Sequence, residues 1–484
     1  MRPGEPGWDR RFQDYAAELI EWSQIPGAAV ALALEGVTIY ERGFGHRDAL
    51  RSLPVTSDTR FGLGSVTKSF PALAIMQLAD AGKLATTDPV QRWLPEFRLP
   101  RLEDAAFARQ ITIHHFLTHS SGIPPEPALL HARARSICAD PDLPRMHPRP
   151  MGAPDDIATF EQVSTYEELM ALMARQSWSV LGPPGRVLSY CNEGYVLLSA
   201  IVERASGQSF SNYLQEHVLD PLELSRTSLY TSETPPNEPE VVPFAADNRS
   251  GKNEVFASPA WWDQGQMYGN GGLKSTTRDL LRYLEVYRTG GAPPGRRILS
   301  AAGIARMTAP LQPIATGGFY GYGLQVGEAP GIGNVYGHGG GNKGIATQVL
   351  VAPEHGLTAV VLTNLANAPA VLLATGAINA FLGRAPETAW VTYPNYDADP
   401  RTFSRYVGSY RGQPGTIARV AERDGGLVVE ALGETQKIRP YARGSFVNQT
   451  TGEAARFLED DRGEVWALAV GLRVLPKIET PAPE

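Results

Sequence analysis

Cysteine is nearly absent from the chain: Cys138 and Cys191 are the two in 484 residues. That excludes a disulfide framework and a cysteine-built zinc site, and it suits a reducing compartment. Both thiols read as small buried hydrophobes. Long apolar runs are missing as well, since none approaches the ~18 residues a membrane-spanning helix needs. The first residues, Met1 to Asp9, lack the apolar stretch of a secretion signal, so a cytoplasmic protein with no membrane partner is expected. Positive charge is in deficit: 44 Lys and Arg stand against 51 Asp and Glu, a net −7, which argues against a nucleic-acid partner. No histidine spacing argues for a metal, and no cofactor is called for. What remains is an ordinary globular composition, 43% hydrophobic and 20% charged, long enough for two or three domains with a sizeable core. Small-molecule or peptide chemistry is the class left open.

Hydrophobic spacing then divides the chain. Phe12, Tyr15, Leu19 and Trp22 recur at helical spacing, and Gly27 to Leu34 followed by Val37 to Tyr40 reads as a hairpin. A second hairpin lies far downstream, Ala346 to Ala352 and Leu357 to Thr363 around Pro353-Glu354-His355-Gly356. Two distant hairpins suggest one antiparallel sheet assembled from both ends of a domain. Helical patterns at 65–81, 194–205 and 276–287 lie between them, which gives an α+β plan: an antiparallel sheet flanked by helices plus a helical lobe. Residues 124–161, rich in Pro, Arg, Asp and His, read as a long loop or cap over a site. After an irregular stretch at 386–400, short alternating segments at 427–430, 437–441, 445–448, 455–459 and 465–470 suggest a small β-barrel or sandwich over 401–484. The expected units are therefore 1–385, the linker, and the carboxyl-terminal β domain.

Three segments carry chemistry. In Phe61-Gly-Leu-Gly-Ser65-Val-Thr-Lys68, a serine at a helix start has a lysine one turn later, so hydroxyl and amine share a face. Serine becomes nucleophilic only when a neighbour takes its proton, and a desolvated amine can do that. Chance matches to Ser-x-x-Lys are common, yet it occurs once here among only seven lysines. In Leu188-Ser-Tyr190-Cys-Asn192, a phenol able to relay protons and an amide able to hold a carbonyl lie two apart, on one side of an extended turn. Finally, Gly337-His338-Gly339-Gly340-Gly341-Asn342-Lys343 precedes the strand at 346–352, where a ligand can approach bare backbone N–H groups. Each has a bland reading: a solvated helical turn, a packing tyrosine, a flexible glycine turn.

Taken together, in this order, the segments resemble the serine β-lactamase and penicillin-binding protein-like superfamily, in the branch with class C β-lactamases, DD-peptidases, D-aminopeptidases and family VIII esterases. Ile111 to Gly122 and Gly271 to Leu280 resemble accessory segments of the same proteins, and the likeness spans about residues 10–385. The resemblance implies that Ser65 is acylated, that Lys68 and Tyr190 move its proton, and that Asn192 and Gly340 line the substrate. It also implies an oxyanion hole from the N–H groups of Ser65 and Gly341, with His338 orienting Tyr190. His114, His119, His131 and His147 are left as structural residues. The tail, beginning Arg405-Tyr406-Val-Gly-Ser-Tyr410, resembles the lipocalin-like domain appended to some peptidases of this superfamily.

Two departures matter. Gly339 offers no hydroxyl where many members have Thr or Ser, which weakens the case for β-lactams and free carboxylates; Lys343 could supply a charge instead if its strand turned it inward. Pro71 removes a helical N–H near the nucleophile. The implied function is an acyl-serine hydrolase of small peptides, amides or esters, D-peptides favoured, with a homo-oligomer possible. The alternatives are a carboxylesterase or β-lactamase using the same residues, and a penicillin-binding or peptide-sensing module that acylates with little turnover.

Overall fold

The computed structural model describes residues 3–478 except 126–127, 150–152, 155, 231–238, 413–416 and 432–433, so parts of the 124–161 segment and of the tail lie outside it. Helix α1 (Trp8–Trp22) leads into β1 (Gly27–Leu34) and β2 (Val37–Gly45), the latter five residues longer than its apolar pattern indicates. Far downstream come β3 (Gln312–Pro313), β4 (Phe319–Tyr320), β5 (Gln325–Ala329), β6 (Gly333–Asn342), β7 (Ile345–Ala352) and β8 (Leu357–Thr363). They form one sheet in the order β2-β1-β8-β7-β6-β5-β4-β3, every pair antiparallel. Pairing of β1 with β8, Ala28 opposite Thr363, joins the two ends of the domain.

Both faces of that sheet are covered, which explains the unbroken apolar run in β1. Val30 and Leu32 point into the core shared with Phe12 and Ala16 of α1, whereas Ala29, Ala31 and Ala33 point into the larger core of the helical lobe. At the centre of that lobe lies α2 (Ser69–Asp80), buried on nearly every side and packed against α4 (Asn192–Ser206). Ser65 and Lys68 do not sit on α2 itself. They occupy a 3₁₀ turn, Gly64–Lys68, that precedes it. Pro71 is then the third residue of α2, inside the first turn where backbone N–H groups lack intrahelical partners, so it fits there without breaking a helical bond.

The segment 124–161 is not irregular throughout. It holds α3 (Leu129–Cys138), whose Leu129, Leu130, Ala132, Arg133, Ala134 and Ile137 are buried. At the carboxyl end, eight strands close into a barrel: β9 (Gly408–Arg411), β10 (Ile417–Arg423), β11 (Gly426–Ala431), β12 (Glu434–Ala442), β13 (Ser445–Asn448), β14 (Ala454–Glu459), β15 (Val465–Val470) and β16 (Arg473–Ile478). Tyr406, Tyr410, Phe446, Phe457 and Leu468 pack together in its core. On its outer side Ala467, Ala469 and Val474 pack on Leu181 of the preceding domain. The connection between the two units is also tied down: Asn379 Nδ2 donates to the carbonyls of Pro386 and Thr388, and Trp390 Nε1 donates to Asn379 Oδ1.

Candidate active site

The 3₁₀ turn wedges against strand β6. Gly64 has a left-handed φ of 51°, and a Cβ there would lie 2.7 Å from the Gly341 nitrogen, so only glycine permits the approach. A Cβ on Gly340 would fall 2.0 Å from the Leu63 carbonyl oxygen, whereas one on Gly341 would meet nothing within 4 Å. Gly340 is thus the packing glycine and Gly341 the one that faces open space. Thr347, opposite Gly340 on β7, donates to the Leu63 carbonyl at 2.8 Å and fixes the turn to the sheet.

Within that turn Ser65 is half-buried while Lys68 is fully buried. The Lys68 ammonium donates to Ser65 Oγ at 3.1 Å, to Asn192 Oδ1 at 2.7 Å and to the Asn270 carbonyl at 2.5 Å. It also lies 4.7 Å from the centre of the Tyr190 ring. Ser65, Lys68, Tyr190 and Asn192 therefore meet at one point. Asn192 is the first residue of α4, and Tyr190 lies in the extended stretch just before it.

Three successive amides hold that stretch. Ser189 N–H donates to the His119 carbonyl at 2.9 Å and Cys191 N–H to His119 Nδ1 at 3.1 Å, while Tyr190 N–H points the other way, to the Leu472 carbonyl at 2.8 Å. Leu472 belongs to the β15–β16 turn, so the barrel supports the backbone of Tyr190 directly. Arg186 lies over the Trp466 ring at 5.3 Å and Thr316 Oγ1 donates to the Gly471 carbonyl at 3.2 Å, extending the same contact.

His338 completes the wall. It is buried, 6.1 Å from the Tyr190 ring between centres, and its Nε2 is 2.9 Å from the Tyr320 hydroxyl. Burial, reinforced by the Lys68 charge, lowers its pKa to about 3, so the ring is neutral at ordinary pH. His119 behaves alike: burial first, then Lys68 and His338, hold it well below the usual imidazole range. Its ring lies 4.1 Å from that of Tyr190 between centres, tilted by 36°, so a histidine assigned to structure by its sequence setting packs on the site's phenol. Tyr320, Asn270 and Leu472 also went unsuspected. Asn270 immediately precedes the Gly271 accessory segment; Tyr320 and Leu472 carry no sequence signal. His114, bonded to Tyr322, and His131, stacked on Phe160, have partners elsewhere.

Lys343 is buried and fully engaged. Its ammonium lies 2.6 Å from Asp140 Oδ2 with both side chains almost wholly buried. The possibility that it supplies a charge in place of the missing hydroxyl at Gly339 is thereby corrected: Lys343 lies in the turn after β6, not in the strand, and the insertion covers it. Among the described residues no group of three or more His, Cys, Asp or Glu is placed to hold a metal, and no helix is long and apolar enough to cross a membrane.

A serine hydroxyl on a buried lysine, beside a tyrosine and under a glycine-lined strand edge, defines an acyl-serine hydrolase. The chain belongs to the Beta-lactamase family, whose pattern it matches over residues 11–380. It is 30% identical over 371 residues to penicillin-binding protein 4 of Amycolatopsis lactamdurans, covering 74% of this chain and 84% of that one. A stretch of 100 residues, 21% of this chain and 25% of the other, is 46% identical to the esterase EstB of Burkholderia gladioli. Among solved structures, the octameric penicillin-binding protein homologue from Pyrococcus abyssi superposes with a TM-score of 0.68 at 26% identity, over 97% of this chain and 99% of that one.

Proposed function

We propose that Ser65 is the acylated nucleophile of a hydrolase for small amides, peptides and esters that carry no free carboxylate next to the scissile bond, with D-configured substrates preferred. The observation that carries this reading is the Lys68 ammonium, 3.1 Å from Ser65 Oγ and bonded to two neutral oxygens, those of Asn192 and Asn270. In the proposed sequence Ser65 Oγ attacks the acyl carbon as its single proton passes to Lys68, which acts in its neutral amine form and hands the proton on through the Tyr190 hydroxyl. The N–H groups of Ser65 and Gly341 bind the oxyanion, and the exposed position of Gly341 supports that role. Collapse returns the proton to the leaving nitrogen or oxygen, and water then releases the acid and regenerates Ser65. Asn192 lines the acyl side, Gly340 seats the strand edge on Leu63 in place of the substrate contact expected of it, and neutral His338, bonded to Tyr320, orients Tyr190 without carrying the proton itself.

The substrate class rests on two features. Gly339 has no hydroxyl and Lys343 is engaged by Asp140, so the third motif supplies no group for a carboxylate. The D preference comes from the family resemblance. A carboxylesterase is the second reading, favoured by the stretch shared with EstB. The working units are taken as 1–385, the linker 386–400 and the barrel 401–484, and the octameric homologue supports a homo-oligomer. A hydrolysis panel of D- and L-aminoacyl amides, D-peptides, p-nitrophenyl esters and a chromogenic cephalosporin tests the assignment. Turnover of D-amides or esters well above the free-acid peptides and cephalosporin is expected; fastest turnover of a free-acid D-peptide overturns it.

A further inference from the structure

Helix α3 and the residues flanking it reach all three segments that build the site, two of them directly and the Ser65–Lys68 turn through Gln264 and Asn270. At its start, Glu193 Oε1 accepts the N–H groups of Ala128 and Leu129 at 2.9 and 2.8 Å, and Glu193 follows Asn192 directly. In its middle, Arg133 Nε donates to Gln264 Oε1 at 2.8 Å, and Gln264 Nε2 donates to Asn270 Oδ1; the carbonyl of that same Asn270 holds the Lys68 ammonium. Beyond its end, Asp140 takes the Lys343 ammonium at 2.6 Å and the Trp262 indole N–H at 2.9 Å. Lys343 lies two residues past Gly341 and is pinned further by the carbonyls of Ser258 and Ala260 at 3.1 and 2.6 Å.

A segment that merely limited substrate size would meet the site through its inner surface. This one is bonded to the residue next to Asn192, through Gln264 to the residue whose carbonyl holds Lys68, and to the turn that follows the strand carrying Gly341. We infer that α3 is a brace that keeps the three catalytic segments in register, and that Asp140 and Lys343 are positioning residues for the oxyanion strand. Removing 124–161 would strip partners from the buried carboxylate of Glu193 and the buried ammonium of Lys343, so the segment is not a detachable lid. Displacement of catalytic groups by about 1 Å is enough to cost on the order of 10²-fold in rate, which sets the scale of what the brace protects.

The inference rests on the reading of Ser65 as nucleophile, and the test separates the two. Full-length Asp140→Asn, Lys343→Met and the double variant are compared by labelling rate with a fluorophosphonate, by kcat and KM on a p-nitrophenyl ester, and by thermal melting. Replacing both members of a buried ion pair by neutral groups is often neutral for stability, whereas removing one is not. Each single variant is therefore expected to melt lower, and the double to regain most of the loss. A brace predicts that the double still labels at least tenfold more slowly, with kcat reduced and KM within about threefold. Wild-type labelling and kcat in the stable double would make the pair a structural element only and overturn the inference. Should these variants fail to fold, Trp262→Phe removes one donor from Asp140 without touching a charge; a two- to fivefold fall in kcat at constant KM is expected, and no fall overturns the brace. Labelling that persists in Ser65→Ala overturns the nucleophile assignment itself, while labelling lost there but normal in the double overturns the brace alone.

Discussion

Displacing the barrel should slow acylation although the barrel supplies no residue of the proposed catalytic set. Ala467 and Ala469 are completely or almost completely buried against Leu181, so Ala469→Arg forces a long charged side chain into a seam with no room for it. Overpacking of that kind costs about 1–3 kcal/mol and is relieved only if β15 and β16 move outward. Their connecting turn then withdraws the Leu472 carbonyl from the Tyr190 N–H, now 2.8 Å away. Leaving a buried amide unsatisfied costs about 1–3 kcal/mol. If that strain is released by a shift of Tyr190, the loss in rate is about 5- to 150-fold, at roughly tenfold per 1.4 kcal/mol. We expect a 10- to 100-fold fall in kcat for an ester. Glu422→Arg, on an exposed position of β10, is the control and should change nothing. Limited proteolysis reports whether the barrel has loosened while the hydrolase unit stays resistant. A loosened barrel with kcat within twofold of wild type would refute the argument.

Lys68→Ala and Tyr190→Phe should each slow fluorophosphonate labelling by 10² or more, as expected for loss of a general base; near wild-type rates in both leave the proton relay without support. His338 gives a pH signature. Its folded pKa of about 3 lies below the ~6.5 of a free imidazole, so the unfolded chain binds the extra proton first. Stability from this group is fully present above about pH 6.5 and is lost as pH falls toward 3, roughly 3 kcal/mol of it by pH 4. His338→Gln should flatten the acid limb of a urea-melt series, and parallel curves for the two proteins would contradict this. A peptide amide should outrun its free-acid counterpart in kcat/KM, since Asp140 occupies Lys343; the reverse preference returns the protein to the carboxypeptidases.

Much of this was legible in the sequence because hydrophobic period and motif order report local structure. The two hairpins of the sheet were visible as apolar runs flanking turns, and the gathering of Ser65, Lys68, Tyr190, Asn192 and His338 was implied by the family resemblance that the three motifs carry together. The insertion helix was not: its buried face runs through Arg133, and Arg135 and His131 interrupt the pattern, so α3 read as loop. Polar residues on a buried face are invisible to periodicity when their partners, such as Gln264, lie 131 positions away. The same limit hid Tyr320, which stands two strands from His338 in the sheet, and Leu472, which reaches Tyr190 only because the barrel docks on the first domain. Strand ends were underestimated where exposure broke the alternation, as in β2, whose residues beyond Tyr40 are half or fully exposed.

The central claim, that Ser65 carries the acyl group, is tested most directly by intact-protein mass spectrometry after brief reaction with a D-aminoacyl p-nitrophenyl ester or a fluorophosphonate, followed by peptide mapping. The account predicts one adduct per chain, on the peptide containing Ser65, absent in Ser65→Ala together with turnover. An adduct on another residue, or hydrolysis undiminished in Ser65→Ala, would contradict it.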